Sequence, residues 1–174
     1  MIASVAKRVA ILLESEFDDD EVAAIVELLR ERGCDVTFVA PFAGRAYTGR
    51  KGAVLTSGMN AAEAATAGFD AVIVPGGQAP DRLRMRPAVV DLIRDAVAAG
   101  TIVGAVSHGP QVLISADVLR GRTVTCWPSI AVDVRNAGAL YVDRQVVEDR
   151  GIVTARKHMD VPRFVEAILR GLGL

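Results

Sequence analysis

Residues Arg8–Ala40, RVAILLESEFDDDEVAAIVELLRERGCDVTFVA, decide the fold. Arg8–Leu13 is an apolar run with almost no alternation, the pattern of a strand buried on both faces. Asp18, Asp19, Asp20 and Glu21 then open a helix, where acidic side chains meet the positive end of the helix dipole. Val22, Ile25, Val26 and Leu29 recur at helical spacing, and Gly33 supplies the stop. Asp35–Ala40 reads as a second strand. Strand, helix, strand is the unit from which parallel sheets are built.

The same grammar continues outward. Gly44–Ser57 reads as a hairpin or excursion and Asn60–Ala67 as a short Ala-rich helix. Ala71–Val74 is a buried strand ended by Pro75-Gly76-Gly77, and Pro87–Ala99 a helix with Pro in its first turn and Gly100 after it. Thr101–Val106 is another strand, with Ser107 at its end and a helical pattern over His108–Ala116. Shorter elements follow at Thr123–Cys126, near Ile130–Asn136, and as a β pair at Val146–Glu148 and Ile152–Ala155. Val161–Leu172 is the last helix, with Val161, Phe164, Val165, Ile168 and Leu169 on one stripe. These elements predict an α/β architecture around a mostly parallel sheet, as one domain over residues 1–174.

Composition narrows the function. Twenty Lys+Arg against 21 Asp+Glu leave a net charge of -1, which argues against a basic nucleic-acid or membrane-surface module. No apolar run reaches the roughly 20 residues of a membrane helix, and Val9–Leu13 is too short for a signal-peptide core, so a cytoplasmic protein is expected. Cys34 and Cys126 form no Cys-x-x-Cys motif and read as buried thiols rather than a disulfide. Only His108 and His158 are available as histidine ligands, and no metal site or cofactor is expected.

Ligands of an open α/β sheet sit beyond the carboxyl ends of the strands. Glu16–Glu21, Pro75–Arg84 and Ser107–Gln111 all fall on that edge, so they should meet in space. Ala105-Val106-Ser107-His108-Gly109 places a hydroxyl at a strand-to-helix turn, where a strained elbow exposes the side-chain tip. Gly109 permits close backbone approach there, and Gly76-Gly77 can present N–H groups to an anion. Ala-x-Ser-x-Gly nearly matches the α/β-hydrolase elbow, but the chain is short for that fold and the triad His, which must follow an acid after Ser107, would have to be His158. The Asp18–Glu21 cluster reads as a solvated helix start rather than a cation site, and Gly44-x4-Gly49 lacks the Lys and Ser/Thr of a phosphate loop. Trp127 and Tyr141 read as core or interface aromatics ahead of substrate contacts, and His158 as surface or interface ahead of a residue lining the cleft.

Val74–Arg84 (VPGGQAPDRLR), Ala105–Leu119 (AVSHGPQVLISADVL), Arg120–Arg122, Asn136-Ala137-Gly138 and Val153–Arg156 (VTAR) resemble the DJ-1/PfpI family, most of all its PfpI-type intracellular-protease branch, peptidase family C56. The resemblance runs from about Lys7 to Leu172. It implies a flavodoxin-like three-layer sandwich of the class I glutamine amidotransferase type, assembled as homodimers and, in this branch, often hexamers. It implies peptidase, glyoxalase or deglycase chemistry on small carbonyl compounds, peptides or glycated groups, without an added cofactor. In such proteins an elbow Cys is followed by a His, a first-loop Glu hydrogen-bonds the Cys, and a neighbouring subunit's acid completes a triad. Carried over, these positions fall on Ser107, His108, Asp18 and Asp81, with the oxyanion turn on Gly76 and Gly77.

Ser107 is the departure. A thiol yields a thiolate near neutral pH, whereas a Ser hydroxyl needs a base held on its Oγ, so attenuated activity is expected. Ser107 is open to three readings: natural divergence, an introduced substitution, or a working nucleophile. A second change, Glu to Asp at Asp18, favours divergence. The alternative to an enzyme is a non-catalytic stress-response or interaction protein that keeps the fold and oligomer.

Overall fold

A computed structural model describes residues 5–174; the first four residues of the expected domain lie outside the described residues. Strand β1 (Arg8–Leu12) leads to helix α1 (Asp19–Glu31) and then to β2 (Asp35–Ala40), as the opening stretch predicts. The Gly-rich excursion is an antiparallel hairpin, β3 (Ala46–Thr48) and β4 (Val54–Thr56). A short strand β5 (Met59–Asn60) then runs into α2 (Ala61–Ala64), where Asn60 and Glu63 form a capping box. Strand β6 (Ala71–Val74) is followed by α3 (Ala79–Leu83), a helix the sequence reading did not anticipate, and by α4 (Pro87–Ala98).

Strand β7 (Ile102–Val106) carries the elbow. The helical pattern over His108–Ala116 forms helix only as α5 (Pro110–Ser115). Ser107 is left-handed at φ 60°, and the Gly109 N–H donates to the Val106 carbonyl at 2.8 Å, so a tight turn occupies the first residues. Beyond it lie β8 (Thr123–Val124), α6 (Ala131–Asn136), β9 (Leu140–Tyr141), β10 (Val146–Asp149), β11 (Ile152–Ala155) and α7 (Val161–Leu172).

Seven strands form one sheet in the order β10-β11-β7-β6-β1-β2-β5. Every pairing is parallel except β10 with β11. Both faces are covered. On one, Val9, Ile11, Ile73 and Val106 pack against Ile25 and Leu29 of α1 and Phe164 and Ile168 of α7. On the other, Ala10, Leu12, Val72 and Val74 pack against Val89 and Ile93 of α4 and Val112 and Leu113 of α5. Complete burial on both sides explains why the strands read as unbroken apolar runs. Among the described residues, no helix is long and apolar enough to cross a membrane.

Candidate functional site

Strands β1, β6 and β7 are adjacent, so the loops at their carboxyl ends converge. The first two are stitched together. The Asp18 N–H donates to the Gly76 carbonyl at 3.3 Å and the Gln78 N–H to the Glu16 carbonyl at 2.9 Å, an antiparallel bridge centred on Phe17 and Gly77. The third loop is held by the sheet beside it, with the Ser107 N–H on the Ala155 carbonyl at 3.0 Å and the Trp127 N–H on the Ser107 carbonyl at 3.0 Å. The expected meeting of the three segments is therefore present.

Two glycines make the convergence possible. A Cβ on Gly109 would stand 2.3 Å from the Val74 carbonyl oxygen, and a Cβ on Gly76 would stand 2.6 Å from a Glu21 carboxyl oxygen and 2.7 Å from the Ser107 Cβ. Only a hydrogen fits in either place.

The cleft that results has a volume of about 300 Å³ and is lined in part by Asp18, Glu21, Gly77, Ser107 and His108. Ser107 is almost buried, and its positive φ holds the backbone in a conformation that a non-glycine residue adopts only under constraint. His108 Nδ1 lies 3.5 Å from Ser107 Oγ, and its Nε2 lies 3.4 Å from Ser129 Oγ. Trp127 stacks on the imidazole with ring centroids 6.0 Å apart. Burial and the positive charge of Arg50 lower the His108 pKa, which favours the neutral ring.

The carboxyl beside Ser107 is Glu21, not Asp18. Asp18 is the N-cap of α1, where its Oδ1 accepts the Glu21 N–H at 3.0 Å. Glu21, three residues on, turns its side chain inward and accepts the Gly76 N–H at 2.7 Å. Burial pushes its carboxyl up to about 7 and the neighbouring Asp18 charge adds to this, against the pull of the Gly76 and Ser107 hydrogen bonds. A carboxylic acid retained near neutral pH can donate a proton or a hydrogen bond. The sequence signal for Glu21 was the Asp-x-x-Glu spacing, which ordinarily marks a capping box. Here the Glu at that spacing leaves the cap and serves the cleft.

Other expectations are also revised. The Gly76 N–H is occupied by Glu21, so it is not free for an oxyanion. The Gly109 N–H is likewise spent on Val106, and Gly109 acts by permitting close approach. Gly77 does line the cleft. Asp81 sits on the exposed side of α3 and does not reach the cleft of its own chain. Trp127 lines the cleft rather than filling the core, and His158 lines it too. Tyr141 is half-buried against the core, with the Arg135 guanidinium over its ring. Cys126 is fully buried, and burial pushes its thiol up to about 12, so it offers no thiolate to the neighbouring cleft.

Comparison with known proteins places this geometry. The sequence pattern of the DJ-1/PfpI family matches residues 7–171. Protein/nucleic acid deglycase 2 of Escherichia coli is 42% identical over 97% of this chain and 99% of its own length. Putative cysteine protease YraA of Bacillus subtilis is 35% identical over 91% of this chain and 94% of its own. Among solved structures, a two-domain protein of Anabaena variabilis with DJ-1/ThiJ/PfpI-like and ferritin-like domains aligns at TM-score 0.93 and 39% identity. That alignment covers 96% of this chain and 48% of the other. DJ-1beta of Drosophila melanogaster aligns at TM-score 0.88 and 26% identity, over 94% of this chain and 89% of its own.

Proposed function

The chain belongs to the DJ-1/PfpI family, and from that membership and the geometry of the cleft we propose that it acts on small carbonyl compounds, or on peptide or glycated groups, with activity attenuated by Ser107. The observation that carries this reading is the Ser107–Glu21–His108 cluster: a strained elbow hydroxyl with a proton-holding carboxyl on one side and a neutral imidazole on the other.

Each residue takes a role set by its chemistry. Ser107 Oγ adds to an electrophilic carbonyl carbon, and its proton passes to His108 Nδ1 as base. One C–O bond forms while the carbonyl π bond opens, and the new oxyanion meets the Gly77 N–H and takes a proton from Glu21. The addition thereby gives a neutral hemiacetal. A Ser alkoxide is far harder to form than a thiolate, which is the source of the attenuation. Asp81 belongs to the same reading only through a neighbouring copy in a homo-oligomer, where it would orient His108. A cytoplasmic location is part of the same proposal, carried over from the reading of the apolar runs in the sequence.

A non-catalytic interaction role is the second reading, and Ser107 is what favours it. Its other support, a changed acid at Asp18, is gone, because the acid facing Ser107 is an unaltered Glu. Methylglyoxal consumption by the native chain, Ser107→Cys and His108→Ala separates the two. The enzymatic reading expects Ser107→Cys to raise turnover and His108→Ala to abolish it. Equal rates for all three proteins would contradict it.

A further inference from the structure

The cleft also holds two cations that the proposed chemistry does not use. Arg50 and Lys157 line it from opposite sequence origins, one following β3 and the other following β11. Arg50 is anchored by its backbone, whose N–H donates to the Phe17 carbonyl at 3.0 Å, so the arginine belongs to the same stitched loop system as Glu21. Lys157 follows closely on Ala155, the residue that holds the Ser107 N–H.

Neighbouring cations in this region are spoken for. Lys51 pairs with Asp20, Arg82 with Glu16, and Arg156 with both Asp143 and Asp160. Among the described residues, neither Arg50 nor Lys157 has a carboxylate within ion-pair distance or a side-chain hydrogen bond. The acids that share the cleft with them form no ion pair with either cation. Asp18 caps α1, and Glu21 is bound to Gly76 and favours its protonated form more than an exposed carboxyl does. Arg50 is near enough to the reacting groups to act on both Glu21 and His108 through its charge. A concave site with two cations that lack an ion-pair partner, against the one remaining carboxylate charge of Asp18, beside a carbonyl-directed hydroxyl is a site for a substrate with an anionic end.

We propose that the cleft selects small carbonyl compounds that carry an oxyanion, a carboxylate or a phosphate, with Arg50 and Lys157 as counter-charges that direct the carbonyl carbon to Ser107. The inference rests on the carbonyl-directed reading of the site, but it concerns binding and can be tested without turnover. Trp127 is the only tryptophan of the chain and lines the cleft, so its fluorescence reports occupancy directly.

Native protein is titrated at low ionic strength with glyoxylate, with glycolaldehyde phosphate and with neutral methylglyoxal. The expected result is that at least one anionic aldehyde binds about tenfold more tightly than methylglyoxal. Glyoxylate alone identifies a carboxylate site and glycolaldehyde phosphate alone a phosphate site. Arg50→Gln and Lys157→Gln are each expected to weaken the anion about fivefold, the size of one partly exposed ion pair, and to weaken methylglyoxal much less. Arg50→Lys, which keeps the charge, should restore most of the loss. Equal binding of charged and neutral aldehydes, no binding of either anion, or variants that weaken all three compounds alike would overturn the proposal. If turnover fails while the titration succeeds, the carbonyl chemistry falls and the anion site stands.

Discussion

Glu21→Gln isolates the energetic cost of keeping a carboxyl in the cleft. The Glu21 pKa is raised from 4.5 to about 7 by burial and by Asp18. Because the folded value lies above the unfolded one, the protonated acid favours folding and the ionised form opposes it. Its contribution to stability is complete below pH 4.5, falls as pH rises, and is lost above about 7. At about 1.4 kcal/mol per pKa unit, the native protein should lose about 2 to 3 kcal/mol through this group between pH 5 and pH 8. Gln keeps an oxygen for the Gly76 N–H and has no charge to bury. Urea unfolding of both proteins at pH 5 and pH 8 measures the difference. The advantage of Glu21→Gln over the native chain should be about 2 to 3 kcal/mol larger at pH 8, about 5 to 10 °C in Tm for a protein of this size. A gap that does not change with pH would refute the buried, proton-holding carboxyl.

Gly109→Ala tests the convergence of the loops. The added methyl meets the Val74 carbonyl oxygen at 2.3 Å, on backbone that cannot swing aside, so a loss of about 3 kcal/mol and about 6 to 12 °C in Tm is expected by thermal unfolding. A variant as stable as the native protein would show that the elbow can relax. The two native thiols should resist modification: with Cys34 and Cys126 both buried and their pKa values raised, an aromatic disulfide reagent at pH 8 should label neither until denaturant is added. Rapid labelling of the folded protein would place a thiol at the surface.

Much of this was readable from the residues because burial leaves a strong imprint. Strands β1, β6 and β7 are apolar on both faces, and the helices between them carry clear stripes, so the order of elements and the convergence of three loops follow. The elbow at Ser107 was also legible, since a polar residue ending a buried strand has few other places to go. The partner acid was not. Asp18 and Glu21 both sit in the first turn of α1, and spacing alone reads the pair as a cap. The loop bridge between Phe17 and Gly77 decides which of them turns inward, and that contact is 60 residues long in sequence. Trp127 and His158 were harder to assign to the cleft for a similar reason. Each lies in a segment of weak periodicity, and its place in the cleft depends on hydrogen bonds to or beside Ser107 rather than on a pattern of its own. The free N–H of Gly76 was lost for the reason that made Glu21 visible: the same hydrogen bond answers both questions.

In the proposed function, residue 107 occupies a nucleophile's position in an otherwise intact cleft. The rate of iodoacetamide modification of Ser107→Cys at pH 7, against free cysteine and against the native chain, tests this most directly. One equivalent should be taken up at residue 107 faster than by free cysteine, because Arg50 lines the same cleft and the cleft admits small molecules, while the native protein takes up none. A thiol at residue 107 as inert as Cys126 would contradict the account.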